Sequence, residues 1–105
     1  MENLEHQASV LFGEKEYKKA LEIYQLLLQG SPKTEKYAIA CGNCFDALGN
    51  KEKAIELYGY ALKLNKNSEA SLLNLSTINY EIGEYDKSAD FAELMNKKAK
   101  KLGMD

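Results

Sequence analysis

Apolar side chains recur three and four positions apart in six successive runs, and a short polar break separates each run from the next. Leu4, Ala8, Leu11 and Phe12 form the first run, which predicts a helix over about residues 3–13 interrupted by Gly13. Tyr17, Ala20, Leu21, Tyr24, Leu27 and Leu28 share one face of a second, over about 16–29. Ala38, Cys41, Cys44, Phe45 and Leu48 make a third that Thr34 is placed to cap. Ala54, Ile55, Tyr58, Ala61 and Leu62 face inward on a fourth, from an Asn50 cap to Leu64. Leu72, Leu75, Ile78 and Ile82 make a fifth behind Ser68, and a sixth runs from Tyr85 to about Lys101.

The breaks have turn chemistry. Gly30 is expected to supply a left-handed stop, with Ser31-Pro32 barring continuation, and Gly49 and Gly83 end the third and fifth helices. Asn65-Lys66-Asn67-Ser68 is the remaining long turn. Connections this short force neighbouring helices antiparallel, so six helices make three hairpins.

The hairpins repeat in phase. Ala20, Ala54 and Ser88 are spaced by 34 residues, as are Gly49 and Gly83. A period in that range marks a solenoid of stacked helical hairpins. The first spacing forms a column of small side chains that lets two helix axes approach closely.

The residues at these phases resemble the tetratricopeptide repeat family over nearly the whole chain. The middle repeat supplies Gly42, Phe45, Gly49, Ala54, Tyr58 and Ala61; the first supplies Ala8, Leu11, Tyr17, Ala20, Tyr24, Leu27 and Pro32; the third keeps Leu72, Leu75, Ser76, Gly83, Tyr85 and Ser88. The resemblance implies an all-α, right-handed α-solenoid of three helix-turn-helix hairpins. It makes residues 1–105 one domain with repeats at about 1–34, 35–68 and 69–102. Lys66 stands where the family usually has proline, and Ala92 and Met95 replace the aromatic and small residues of the last helix. Lys15 stands in the column of Gly49 and Gly83, from which the first hairpin turn is expected to be built differently. Asn96 and Lys98 continue apolar columns of Leu28, Leu62 and Leu64, while Asn3, Gln7 and Glu14 begin columns that later hold Tyr37, Cys41 and Leu48. Both ends therefore read as polar caps, predicting a self-contained monomer.

Charge and composition narrow the partners. Net charge is −2, and every basic residue is a lysine. Without arginine there is no bidentate fork for phosphate or guanine, so nucleic acid is disfavoured. The run Lys97, Lys98, Lys100 and Lys101 suits the negative end of a helix dipole. No window approaches a membrane span, and Met1-Glu2-Asn3-Leu4-Glu5 lacks a signal peptide's basic and apolar regions, which predicts a cytoplasmic protein with no membrane partner.

Candidate chemistry is sparse. Cys41 and Cys44 form a CxxC, but mid-helix and in apolar columns they read as small core residues, and with His6 the single histidine no zinc set is complete. His6 has no nucleophile beside it, and no phosphate cradle or nucleophile elbow occurs. Glu81, Glu84, Asp86, Asp90 and Glu93 gather near the last turn, where Glu93 and Lys97 make an ordinary helix pair. No catalytic residue, cofactor or metal is expected, and the chain reads as a non-enzyme.

In the family it resembles, the first helices of the hairpins line a concave surface that binds peptides or partner helices. That likeness places Glu5, Ser9, Phe12, Ile39, Asn43, Asp46, Leu73, Thr77 and Tyr80 there, with Ile39, Leu73 and Tyr80 as apolar anchors outside the hairpin core and Asn43 and Thr77 able to bond partner backbone. A carboxylate clamp found in some members is absent, because its places hold Glu5, Ser9, Ala40, Ala70 and Asn74. The expected function is an adaptor that binds a peptide or helix of another protein. Alternatives are a secretion-type chaperone of the same repeat class, or a regulatory fragment or subunit of a larger assembly.

Overall fold

A computed structural model describes residues 3–101, and these form six α-helices: α1 (Leu4–Gly13), α2 (Tyr17–Gly30), α3 (Glu35–Ala47), α4 (Lys51–Leu64), α5 (Glu69–Glu81) and α6 (Tyr85–Lys101). The outermost residues of the predicted first and third repeats, 1, 2 and 102, lie outside this range. Each helix packs mainly on the one before and the one after it, giving an elongated body of 42 × 29 × 21 Å. That is the arrangement of three hairpins stacked in a row.

Small residues meet where the two helices of a hairpin cross. Ala8, Ala20, Ala38, Ala54 and Ala61 are fully buried, and Ser88 nearly so. The larger core side chains Tyr58, Leu75 and Ile78 close around Ala54, with Ile39, Phe45, Ile55, Leu62 and Phe91 packed against them. Cys41, Cys44 and Leu72 are buried as well.

Local chemistry sets the helix ends. Asn3 accepts from the His6 N–H at 3.1 Å, Asn50 from Lys53 N–H at 3.2 Å and Ser68 from Ser71 N–H at 3.1 Å, each satisfying a first-turn donor. Thr34 occupies the cap position of α3 in extended backbone, but its side chain accepts no cap bond. Gly30 is also not the left-handed stop that its type suggested: it is the last helical residue of α2, and Gly49 and Gly83 are the positive-φ glycines among the described residues. α2 ends because Pro32 drives Ser31 out of the helical region, to φ −139°. Asn65 takes φ −142° at the same place after α4, so Lys66 supports the same turn without a proline.

The three turns inside the hairpins are alike, which corrects the expectation for the first. Glu16 N–H donates to Leu11 O, Asn50 N–H to Phe45 O and Glu84 N–H to Asn79 O, all at 2.8 Å. One residue earlier, Lys15, Gly49 and Gly83 donate to Phe12, Asp46 and Tyr80 carbonyls at 3.0, 3.0 and 3.1 Å. This paired Schellman closure needs a left-handed residue. Gly49 and Gly83 take φ +86° freely, and Lys15 takes +65° under strain. The two bonds and the packing of α1 on α2 outweigh a left-handed cost of about 1–2 kcal/mol for a residue with a Cβ.

The polar-cap reading also changes in one column. Leu48 and Ile82 are 40% and 45% exposed, so Glu14, in their column, marks a position that faces water in every hairpin rather than a specialised end.

Lys15→Gly is expected to raise unfolding free energy by about 0.5–1 kcal/mol, and Gly49→Ala or Gly83→Ala to lower it by about 1–2 kcal/mol. Urea unfolding followed by circular dichroism checks both signs; a neutral Lys15→Gly would mean that the first turn is unstrained.

Candidate functional site

Two tyrosines from second helices reach the faces formed by successive first helices. Tyr58, on α4, is 2% exposed, and its hydroxyl donates to Asn43 Oδ1 at 2.6 Å. Its ring lies so close to Gly42 that a Cβ there would meet ring carbon Cε1 at 2.6 Å. Burial raises the phenol pKa, and the nearby carboxylates of Asp46 on α3 and Glu81 on α5 push it the same way. Tyr24, 34 residues earlier, repeats the arrangement one hairpin back. Its pKa is raised by burial and then by Cys44, Glu5 and Cys41, while a hydrogen bond with Ser9 opposes the rise.

A second periodic feature spans the turn inside each hairpin. Phe12 and Tyr17 meet edge-on with ring centroids 5.1 Å apart, and Tyr80 and Tyr85 do so at 5.2 Å. The corresponding pair in the middle hairpin is Asp46 and Lys51, an ion pair in which hydrogen bonding to Asp46 is the largest influence raising the lysine pKa. Lys51 also reaches Glu81 Oε1 at 3.4 Å, tying the second hairpin to the third. Between the first and second, Glu5 accepts from Tyr37 at 3.3 Å and pairs with Lys36 at 3.1 Å.

The sequence-predicted residues divide accordingly. Leu73 and Tyr80 are 52% and 65% exposed, with exposed Thr77 between them on one face of α5. Ser9 is exposed beside Tyr24, and Phe12 is half-buried in its aromatic pair. Asn43 and Asp46 are half-buried and already engaged by Tyr58 and Lys51. Ile39 departs from the expectation: it is half-buried and packed against the central core cluster of Ala54, Tyr58, Leu75 and Ile78.

Sequence reasoning missed several residues here. Tyr85 belongs to the exposed aromatic pair, and its signal was the i, i+5 spacing to Tyr80 across the turn. On the second helices, an open cleft of about 800 Å³ is lined by Leu26, Leu28, Pro32 and Tyr60 among polar Glu22, Gln25 and Gln29. Leu26, 61% exposed and off the inward stripe of α2, was the available cue. The Tyr60 hydroxyl donates to the Pro32 carbonyl across this cleft.

Cys41 and Cys44 are buried free thiols. Burial, followed by the neighbouring Cys44, pushes Cys41 up to about 12, and burial pushes Cys44 up to about 11. Neither is poised as a thiolate. Among the described residues no group of three or more His, Cys, Asp or Glu side chains is placed to hold a metal ion, and no helix is long and apolar enough to cross a membrane.

No protein-family model matches the chain. Over 76 residues, 72% of this chain, it is 37% identical to a tetratricopeptide-repeat-containing protein of Methanocaldococcus jannaschii, of which it spans 13%. Its fold superimposes on the type III secretion chaperone SycD of Yersinia enterocolitica, solved with a peptide of the translocator YopD, with a TM-score of 0.86 and 18% identity over 95% of this chain and 81% of that one. It also matches the tetratricopeptide domain of Sgt2 from Aspergillus fumigatus, with a TM-score of 0.84 and 21% identity over 90% and 63% of the two chains. The architecture is thus an all-α solenoid of three right-handed stacked helical hairpins. Within that class the chain carries the tetratricopeptide-repeat fold, in agreement with the residues that repeat every 34 positions.

Gly42→Ala is expected to destabilise by about 1–3 kcal/mol, because overpacking against a buried ring exceeds the roughly 1 kcal/mol gained in helix propensity. Thermal melts of this variant and of Gly59→Ala, where a Cβ meets nothing, separate the two effects. The raised thiol pKa values give a pH signature. The folded state favours the neutral thiols, so their contribution is intact below the ordinary thiol value of 9.0 and is lost as pH climbs toward about 12. Melting temperature should fall across that window, less steeply in Cys41→Ala; an equal fall in both proteins would contradict the buried-thiol account.

Proposed function

We propose that the chain is a non-catalytic protein-interaction module, working as one cytoplasmic, monomeric unit, that binds a segment of another protein on the face shared by α1, α3 and α5. The observation that carries this reading is the pair Leu73 and Tyr80. Two large apolar side chains stand 52% and 65% exposed on one helix face, two turns apart, in a domain whose other large side chains mostly find cover. Spaced at i and i+7, they match the pitch at which an apolar helix or extended segment presents anchors.

The remaining residues fit supporting roles. Thr77 and the amide NH₂ of Asn43 offer hydrogen bonds to a partner backbone, since only the Asn43 oxygen is taken by Tyr58. Ser9, Phe12 and Asp46 extend the same face toward α1. Ile39 contributes to the floor rather than as an anchor. The likeness to SycD, solved with a peptide of YopD, supports peptide binding as the mode, while the low identity leaves the ligand's chemistry to be read from this chain's own side chains.

The test separates folding from binding. Leu73→Ala with Tyr80→Ala is expected to keep stability within about 0.5 kcal/mol, as exposed substitutions do, whereas Ile39→Ala should cost on the order of 2 kcal/mol. Affinity capture followed by protein identification should show the double variant losing partners held by the wild type, since central apolar anchors commonly contribute about 2 kcal/mol or more. Retention of every partner by the folded double variant would rule out this face.

A further inference from the structure

In the first two hairpins a tyrosine of the second helix fills a seat beside its own first helix. Tyr24 lies by Ser9, and Tyr58 packs on Gly42 and donates to Asn43. The position 34 residues beyond Tyr58 is Ala92, so the third hairpin lacks the ring. It keeps the seat. Ser76 stands in the small-residue column of Ala8 and Gly42, and Thr77 in the polar column of Ser9 and Asn43. Ser76 is drawn back toward α6, donating to the Ser88 carbonyl at 2.9 Å with the Ser88 hydroxyl 3.3 Å away, so it does not fill the gap. Beside this position lies an open cavity of about 430 Å³ lined by Ser76, Thr77, Tyr80, Glu81 and Ser88, the last one turn before Ala92 on α6.

The rim has a sign. Glu81 lines it, and Glu84, one turn before Ser88 at the start of α6, is exposed on the same side, against a Lys51 that already serves Asp46 and Glu81. Tyr80 and Tyr85, 65% and 62% exposed, present an edge-on aromatic pair beside these carboxylates. A cation is favoured by both the carboxylates and the ring faces.

We propose that this vacant third seat binds an aromatic side chain, tyrosine or phenylalanine, of a partner segment that carries lysine or arginine next to it. The ring takes the place that Tyr24 and Tyr58 occupy in the earlier hairpins, a tyrosine hydroxyl reaches Thr77 as that of Tyr58 reaches Asn43, and the basic neighbour lies over Tyr80, Tyr85 and the carboxylate rim. This inference rests on the binding-face reading above and adds the chemistry of the ligand.

A random-peptide display library selected on the whole chain tests it, with individual peptides then measured by fluorescence anisotropy. Selected peptides should share an aromatic residue with lysine or arginine within a turn of it, and replacing that aromatic by alanine should weaken binding about tenfold or more, the equivalent of one buried anchor. Ala92→Tyr fills the seat from within and should abolish binding while the protein stays folded. Thr77→Arg, at an exposed position, should do the same if Ala92→Tyr proves unstable. Glu81→Gln with Glu84→Gln should weaken binding and flatten its salt dependence. Peptides without an aromatic residue, or equal binding by the blocked variants, would overturn the seat. If such peptides still depended on Leu73, the binding face would survive and only its assigned ligand would fall. Failure of any peptide to bind above a blank surface would overturn both readings.

Discussion

Everything in this domain depends on how closely the two helices of a hairpin approach. At the crossings the chain sets Ala8, Gly42 or Ser76 on the first helix and Ala20, Ala54 or Ser88 on the second. With so little side chain between the axes, ridges and grooves interlock at short range, and the larger residues are pushed to the flanks of the contact. Tyr58 is the clearest result: its ring has room only because Gly42 has no Cβ. That placement carries the hydroxyl to Asn43 and thereby fixes an amide on the face proposed for binding.

The helices were legible because their apolar spacing is long and regular, and every observed element matches a predicted one to within about a residue or two, the usual uncertainty of helix ends. The errors lie where residue type and tertiary context disagree. Lys15 has the wrong chemistry for a left-handed turn, yet the closure of α1 on α2 imposes the conformation anyway. Gly30 has the right chemistry and is not used, because the proline two residues later ends the helix by steric exclusion. Ile82 fits the periodic stripe of α5 but falls just past its end, at the C-cap, and is 45% exposed.

The candidate site was legible in part. Leu73, Thr77 and Tyr80 could be read from their register on α5, and their exposure agrees with that reading. Ile39 could not be told from them by sequence, since on α3 that register packs against a cluster built from α4 and α5 together, while the register on α5 has no described hairpin beyond it. The turn-spanning pairs were hidden for a different reason. Aromatic, ionic and aromatic pairs occupy the same geometric place in successive hairpins, so the repeat is one of contact rather than of residue type. Lys51 exploits the difference, because a long charged side chain reaches across to Glu81 where a ring could not.

Sequential packing has a mechanical consequence. Each helix leans chiefly on its two neighbours along the chain, so the body formed by the described residues resembles a short spring. A load applied at the two termini would pass through every hairpin in series, and extension would proceed by peeling an outer hairpin away rather than by shearing the whole core at once. The middle hairpin, flanked on both sides and holding the Lys51 tether, would be the last to yield. A segment bound along the first helices would then act as a strut laid across the coils, stiffening the protein in the direction in which it is otherwise most compliant.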